Sequence, residues 1–171
     1  MSGQAFDVIV VGGGLAGLCA GARAAELGLS VAVFEKGETP QYINNARVSG
    51  GTFHVAHTDI TKPKEELLAA INYSTHGHAD PALAATLAAR SKPMYEWLLS
   101  LGAKFIKVPT QAYGSPVSAP PRPLAHSDDW MNGWQGRGPD LLLRVLTEKM
   151  AKSGGKLMLG ARSEEHTSEL Q

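Results

Sequence analysis

The chain has 171 residues and a mass of 18.1 kDa, enough for one domain with a hydrophobic core and too short for the two-domain build of many cofactor enzymes. Its composition is globular, and 16 basic against 16 acidic side chains leave no net field to draw it to nucleic acid or to an anionic membrane. A single cysteine, Cys19, excludes an intramolecular disulfide framework and a multi-cysteine metal site, which suits the cytoplasm. No apolar run reaches membrane-spanning length and no basic segment precedes the first apolar stretch, so neither a membrane segment nor a signal peptide is expected.

Phe6 to Val11 is a short β-branched run with the composition of a fully buried parallel strand. Gly12, Gly14 and Gly17 follow as Gly-x-Gly-x-x-Gly, with Gly13, Leu15 and Ala16 in between. Leu15 to Leu27 carries Ala and Leu at helical spacing until Gly28 stops it. A second apolar run, Ser30 to Phe34, ends on Glu35 and Lys36. The order strand, glycine loop, helix, strand, acid within about thirty residues is the dinucleotide-binding fingerprint, and each part has a mechanical reason. Gly12 permits the tight turn, Gly14 lets backbone N–H groups approach a pyrophosphate, and Gly17 lets the helix lie close to the strand. Glu35 would accept hydrogen bonds from the adenosine ribose and repel a 2′-phosphate, which disfavours NADP. Cys19, inside the helix, reads as a small buried hydrophobe. The fingerprint alone leaves FAD and NAD both open.

Further along, Thr61, Pro63, Glu65 and Glu66 signal a helix start, and Asp80-Pro81 signals another. Ala and Leu repeats run from there to Arg90, Pro93 interrupts, and Met94 to Leu101 resumes the pattern, giving a kinked helix or two consecutive ones. Met94, Trp97, Leu98 and Leu101 share one face and are expected to pack in a core. Lys104 to Val108 could be a short strand. From Pro109 to Pro123 the chain also holds Pro116, Pro120 and Pro121, too many for a helix or central strand, so a loop is expected. Trp130, Trp134 and Arg137 precede a helix at Pro139 to Lys152, and the two tryptophans fit equally a cover over ligand or a core edge. Ser153-Gly154-Gly155 ends that helix, and Lys156 to Gly160 reads as a third parallel strand. No metal-ligand spacing, P-loop or nucleophile elbow occurs.

The sequence resembles the FAD-dependent fumarate reductase/succinate dehydrogenase flavoproteins, a family that includes ketosteroid dehydrogenases and a tricarballylate dehydrogenase. The resemblance is carried by the start at Asp7 through Gly17, by Phe34-Glu35-Lys36, by Asn44-Asn45-Ala46-Arg47-Val48-Ser49-Gly50-Gly51-Thr52-Phe53, and by Gly136-Arg137-Gly138-Pro139-Asp140. It implies an α/β fold: a Rossmann-like parallel-sheet FAD-binding domain with a helical insertion, truncated. Residues 1–60 would be the βαβ unit and flavin loop, 61–127 the insertion and Pro-rich loop, and 128–161 the last helix and third strand. The stretch matching the family's flavin contact is Asn44, Ser49, Gly50, Gly51 and Thr52. Members that attach FAD covalently carry a histidine where this chain has Asn44, so non-covalent FAD is implied. His54 and His57, just after the glycine pair, read as structural or surface histidines. The implied activity is hydride transfer between FAD and a substrate carbon beside a carbonyl or carboxylate. The substrate is then a small molecule, and no residue of this chain is assigned a catalytic role. As an N-terminal fragment this chain is expected to be inactive alone, and two other readings stay open: a cofactor-binding module or inert fragment without turnover, and an NAD-dependent dehydrogenase.

The last ten residues, 162–171, read Arg-Ser-Glu-Glu-His-Thr-Ser-Glu-Leu-Gln, with no apolar period and no turn signal. They match codon for codon the translation of a common sequencing-adapter read. A non-native tail on an N-terminal fragment is therefore expected.

Overall fold

A computed structural model describes residues 5–107, 114–122 and 133–162. The chain divides into two compact units, residues 1–48 with 143–171, and residues 49–142.

The first unit holds strand β1 (Val8–Val11), helix α1 (Leu15–Glu26), strand β2 (Val31–Phe34), the single-turn helix α2 (Asn45–Val48) and strand β7 (Lys156–Met158). It also holds the part of helix α5 (Gly138–Lys152) from Leu143 onward. The three strands form a parallel sheet in the order β1-β2-β7, with Val8 opposite Val31 and Ala32 opposite Lys156. Parallel strands need a crossover between them, and α1 provides the one that joins β1 to β2. β2 sits at the centre with Val31, Ala32 and Val33 buried. Leu18, Ala22 and Ala25 of α1 and Leu143, Leu146 and Met150 of α5 are buried too. Gly21 is what lets these layers meet: a methyl there would come within 2.5 Å of Val33 Cγ2 and 2.8 Å of the Met150 sulfur.

The strand, helix, strand order and the return of the chain as a third parallel strand agree with the sequence reading. One expectation does not hold. β1 is not fully buried, since Ile9 and Val11 are 62% and 72% exposed. Among the described residues β1 pairs on one edge only, and its alternate side chains point away from the packed layer.

The second unit contains the hairpin β3 (His54–Val55) and β4 (Thr58–Asp59), helices α3 (Lys64–Ser74) and α4 (Pro81–Ser100), and the antiparallel pair β5 (Phe105–Lys107) and β6 (Pro116–Ser118). α5 starts here, at Gly138. α3 and α4 pack on each other, with Leu67, Ile71, Ala84, Ala88 and Leu98 buried. Asp80 caps α4, its carboxylate accepting the Leu83 amide at 2.8 Å, and Pro81 follows where an amide proton is not needed. Pro93 does not interrupt the helix: α4 is one helix of 20 residues. On the expected apolar face only Leu98 is fully buried; Met94, Trp97 and Leu101 are half-buried. β6 begins at Pro116, inside the stretch expected to be loop. Its partners explain how a proline-started strand forms: a first residue without an amide proton costs a ladder nothing there, while Phe53 N–H donates to Pro116 O at 2.8 Å and Ser118 N–H to Gly51 O at 2.9 Å. Phe53 and Tyr95 both stack edge-on against Phe105, with centroids 5.0 Å and 4.9 Å away. Trp134 is buried, while Trp130 lies outside the described residues. So do residues 163–171 of the tail.

Candidate functional site

The glycine loop runs from the end of β1 into α1. Gly12 has φ +98°, a left-handed conformation that a side chain resists, and its amide donates to Phe34 O at 2.7 Å. A methyl on Gly17 would lie 1.9 Å from Gly12 O and 3.3 Å from Val10 Cγ1, so this glycine is what lets α1 start directly over the strand. Gly14 is the residue before the first turn of α1. It caps with no side chain, the first turn holds no acidic residue, and nothing lies within 4 Å of a methyl placed on it. Amide protons at the start of a helix have no intrahelical acceptor, and the helix dipole adds positive potential there. Leu15, Ala16 and Gly17 supply those amides at the open end. The donor set therefore suits phosphate oxygens.

Glu35 closes the other side. It is 5% exposed, yet its carboxylate is satisfied: Oε2 accepts Gly13 N–H at 2.7 Å and Oε1 accepts Gly37 N–H at 2.9 Å. A carboxylate has about four acceptor positions, so capacity remains on both oxygens for a pair of ribose hydroxyls. Lys36, the next residue, is exposed.

Gly13 is where the site is tied together, and one of its partners, Tyr42, escaped the sequence reading. Tyr42 donates its hydroxyl to Gly13 O at 2.6 Å, and Asn44 Nδ2 donates to the same oxygen at 3.3 Å. A methyl on Gly13 would come within 2.6 Å of the Tyr42 hydroxyl and 3.1 Å of Glu35, so this position also excludes a side chain. Asn44 Oδ1 accepts Arg47 N–H at 2.9 Å and so caps α2. Arg47, 3% exposed, lays its guanidinium 4.5 Å above the Tyr42 ring and donates from Nη2 to Pro40 O at 2.8 Å. Tyr42 itself is 5% exposed. Burial pushes its hydroxyl pKa up, and the nearby Glu35 charge adds to this against the lowering by Arg47, so the group remains a donor. A lone tyrosine in an irregular loop has no periodicity to reveal it. Arg47 stood within the quoted motif, but nothing in its spacing says that it is buried.

Ser49, Gly50, Gly51 and Thr52 belong to the second unit. Gly51 has φ +73°, and a methyl there would meet Ser118 Oγ at 2.2 Å and Pro139 Cγ at 2.9 Å. Its amide donates to Ser49 Oγ at 3.2 Å, and Thr52 bridges to Val117 of β6. The glycine pair thus runs as backbone along β6. His54 and His57 stack on each other across the hairpin turn, with His57 N–H donating to His54 Nδ1 at 3.2 Å and centroids 5.3 Å apart. Among the described residues no group of three or more His, Cys, Asp or Glu could hold a metal ion, and no helix is long and apolar enough to cross a membrane.

A parallel βαβ unit with a glycine turn, an open helix N-terminus and an acid at the end of the second strand defines a dinucleotide-binding domain. Comparison with known proteins specifies it. Residues 7–159 match the FAD binding domain family, and the chain belongs to it. This is the group of fumarate reductase/succinate dehydrogenase-type flavoproteins, and FAD is its cofactor. The chain is 44% identical over 62 residues to a 3-oxosteroid 1-dehydrogenase of Mycolicibacterium smegmatis, a match that covers 36% of this chain and 10% of that protein. It shares its fold with the 3-ketosteroid-delta4-(5alpha)-dehydrogenase of Rhodococcus jostii RHA1, solved in complex with 4-androstene-3,17-dione. That match has a TM-score of 0.65 and 20% identity, over 92% of this chain and 38% of the other.

Proposed function

We propose that this chain is the cofactor-binding part of an FAD-dependent oxidoreductase that removes or adds hydrogen across a carbon–carbon bond next to a carbonyl or carboxylate. The observation that carries the reading is the meeting of the open α1 N-terminus, the Gly13 loop and the buried Glu35 within a chain of the FAD-binding family. FAD, when bound, would supply hydride transfer to or from a substrate carbon, balanced by loss or gain of a proton at the neighbouring carbon, so that a double bond forms or is lost. This chain's residues bind and orient. Gly14, Leu15, Ala16 and Gly17 would present backbone amides to the pyrophosphate and Glu35 would take the ribose, while Ser49 to Thr52 are the small residues that would admit the ring. Asn44 has both ends of its amide engaged by Gly13 and Arg47, which supports non-covalent FAD. The exposed Lys36, next to Glu35, would border the adenosine end.

Both named relatives act on 3-ketosteroids by their descriptions, so a 3-oxosteroid is the first substrate class to test. A cytoplasmic location fits the single cysteine. This chain alone is expected to be inactive, so the test uses the full-length protein: titration of its yellow form with 4-androstene-3,17-dione without oxygen should bleach the flavin as the steroid is desaturated. Protein that takes up FAD but is bleached by no steroid would confine the proposal to carboxylate substrates, tested by reoxidation of the reduced flavin with fumarate. Protein that takes up no FAD at all would overturn it.

A further inference from the structure

The peptide joining Gly13 and Gly14 has its carbonyl oxygen and its amide proton on opposite sides, as every trans peptide does. Whatever fixes Gly13 O therefore fixes the direction of Gly14 N–H. That oxygen accepts two side chains, the Tyr42 hydroxyl at 2.6 Å and Asn44 Nδ2 at 3.3 Å. Neither donor is free to wander. The Tyr42 ring is buried beneath the Arg47 guanidinium, and Asn44 is held through its own oxygen by the Arg47 amide. The amide proton of the preceding peptide, Gly13 N–H, is likewise fixed, by Glu35 Oε2 at 2.7 Å. Gly14 itself faces clear ground, with no atom within 4 Å of a methyl built on it.

We propose that Tyr42 is a positioning residue for the cofactor pyrophosphate: by holding Gly13 O on the inner side of the loop, it keeps Gly14 N–H turned outward to a phosphate oxygen. Asn44 assists at the same carbonyl. The proposal rests on the dinucleotide reading of this loop. It also gives Asn44 a part distinct from flavin attachment, since its amide serves the phosphate loop and the α2 cap at once. A glycine pair at 13 and 14 otherwise allows the peptide between them to flip at little cost, because neither residue has a Cβ to prevent it. In a flipped peptide a carbonyl oxygen would face the phosphate. The tyrosine supplies by hydrogen bonding the restraint that the glycines lack.

Tyr42→Phe keeps the ring under Arg47 and removes only the hydroxyl. Binding of FAD, ADP and adenosine to flavin-free protein is measured by calorimetry, with adenosine followed by competition, for wild type, Tyr42→Phe, Asn44→Ala and Glu35→Ala. ADP and FAD should bind Tyr42→Phe about three- to tenfold more weakly, the loss of one neutral hydrogen bond, while adenosine binds it as it binds wild type. Asn44→Ala should show the same pattern at smaller size, and it carries the test should Tyr42→Phe not fold. Glu35→Ala should weaken adenosine and ADP together. A Tyr42→Phe protein that binds ADP as wild type does, or that loses adenosine and ADP equally, overturns the positioning role while leaving the dinucleotide site standing. Wild-type protein that binds neither ADP nor FAD overturns both.

Discussion

A methyl group at position 17 would sit 1.9 Å from the Gly12 carbonyl oxygen, closer than any side-chain carbon can approach backbone. Gly17→Ala must therefore push α1 away from the turn, and we expect loss of FAD retention, read as a colourless protein after purification. Gly14→Asp acts differently. Space exists for the side chain, so the fold should survive, but a carboxylate at the helix start occupies the amides meant for phosphate and repels it. Melting temperature near wild type with flavin absent is the expected pair of results, and full flavin content would refute the phosphate assignment. Glu35 is more than a ribose acceptor, because Gly13 and Gly37 both donate to it. Glu35→Ala leaves the buried Gly13 donor without an acceptor, at about 1–3 kcal/mol, and the half-buried Gly37 donor too, at less. Chemical denaturation should show lower stability even without cofactor, which a purely ligand-facing acid would not. Cys19 lies at the opposite extreme. It is half-buried rather than fully buried as expected, and burial pushes its thiol up to about 11, so it stays protonated at neutral pH and should react with a thiol reagent more slowly in the folded than in the unfolded protein.

At the scale of elements, the ones that could be read from sequence were those with both a period and a stop signal. α1 ends at Glu26, with Leu27 as its C-cap before Gly28, α4 opens on its Asp80 cap, and β7 follows the Ser153-Gly154-Gly155 break, as their residues imply. The β3–β4 hairpin was illegible for a physical reason. Its turn residues, Ala56 and His57, take φ +46° and +61°, the left-handed pair normally filled by Asn and Gly, so the usual signature is missing. β6 was hidden by its prolines, and the Tyr42–Arg47 contact by lying in a loop with no periodicity. Two element-scale results are expected. Asp80→Ala removes the α4 cap and should cost about 1 kcal/mol in thermal or urea unfolding. The hairpin is pinned at Asp59, which accepts Lys107 Nζ at 2.6 Å as well as the Thr61 amide and hydroxyl. Burial raises the Asp59 pKa, but the hydrogen bonds from Lys107 and Thr61 and the Lys107 charge outweigh it and leave the value below 3.8. A depressed carboxylate stabilises the fold above its unfolded pKa, and this stabilisation fades as pH falls from about 3.8 through the folded value. The Lys107 end is half exposed, so the effect is small. Lys107→Met should flatten the acid limb of the melting-temperature profile, and an unchanged limb would show that the pair does not matter.

For the whole molecule, the feature with the widest reach is the uncovered side of β1. Its free edge presents unpaired backbone donors and acceptors among the described residues, and Ile9 and Val11 stand beside it in water. Such a strand is a template for another strand of any origin, since backbone pairing needs no particular sequence. The usual protections are missing: no lysine, proline or bulge interrupts Val8–Val11, and the chain as a whole carries no net charge to keep copies apart. In isolation this polypeptide should therefore be poorly soluble, adding strands edge to edge with rising concentration and binding dyes that report stacked sheets. Val11→Lys places a charge on the exposed face without touching the buried one. It should raise the concentration at which scattering begins and leave the far-ultraviolet spectrum of dilute protein unchanged. The same two side chains that make the dinucleotide unit's first strand look like a core element thus set how much of this chain can be kept in solution.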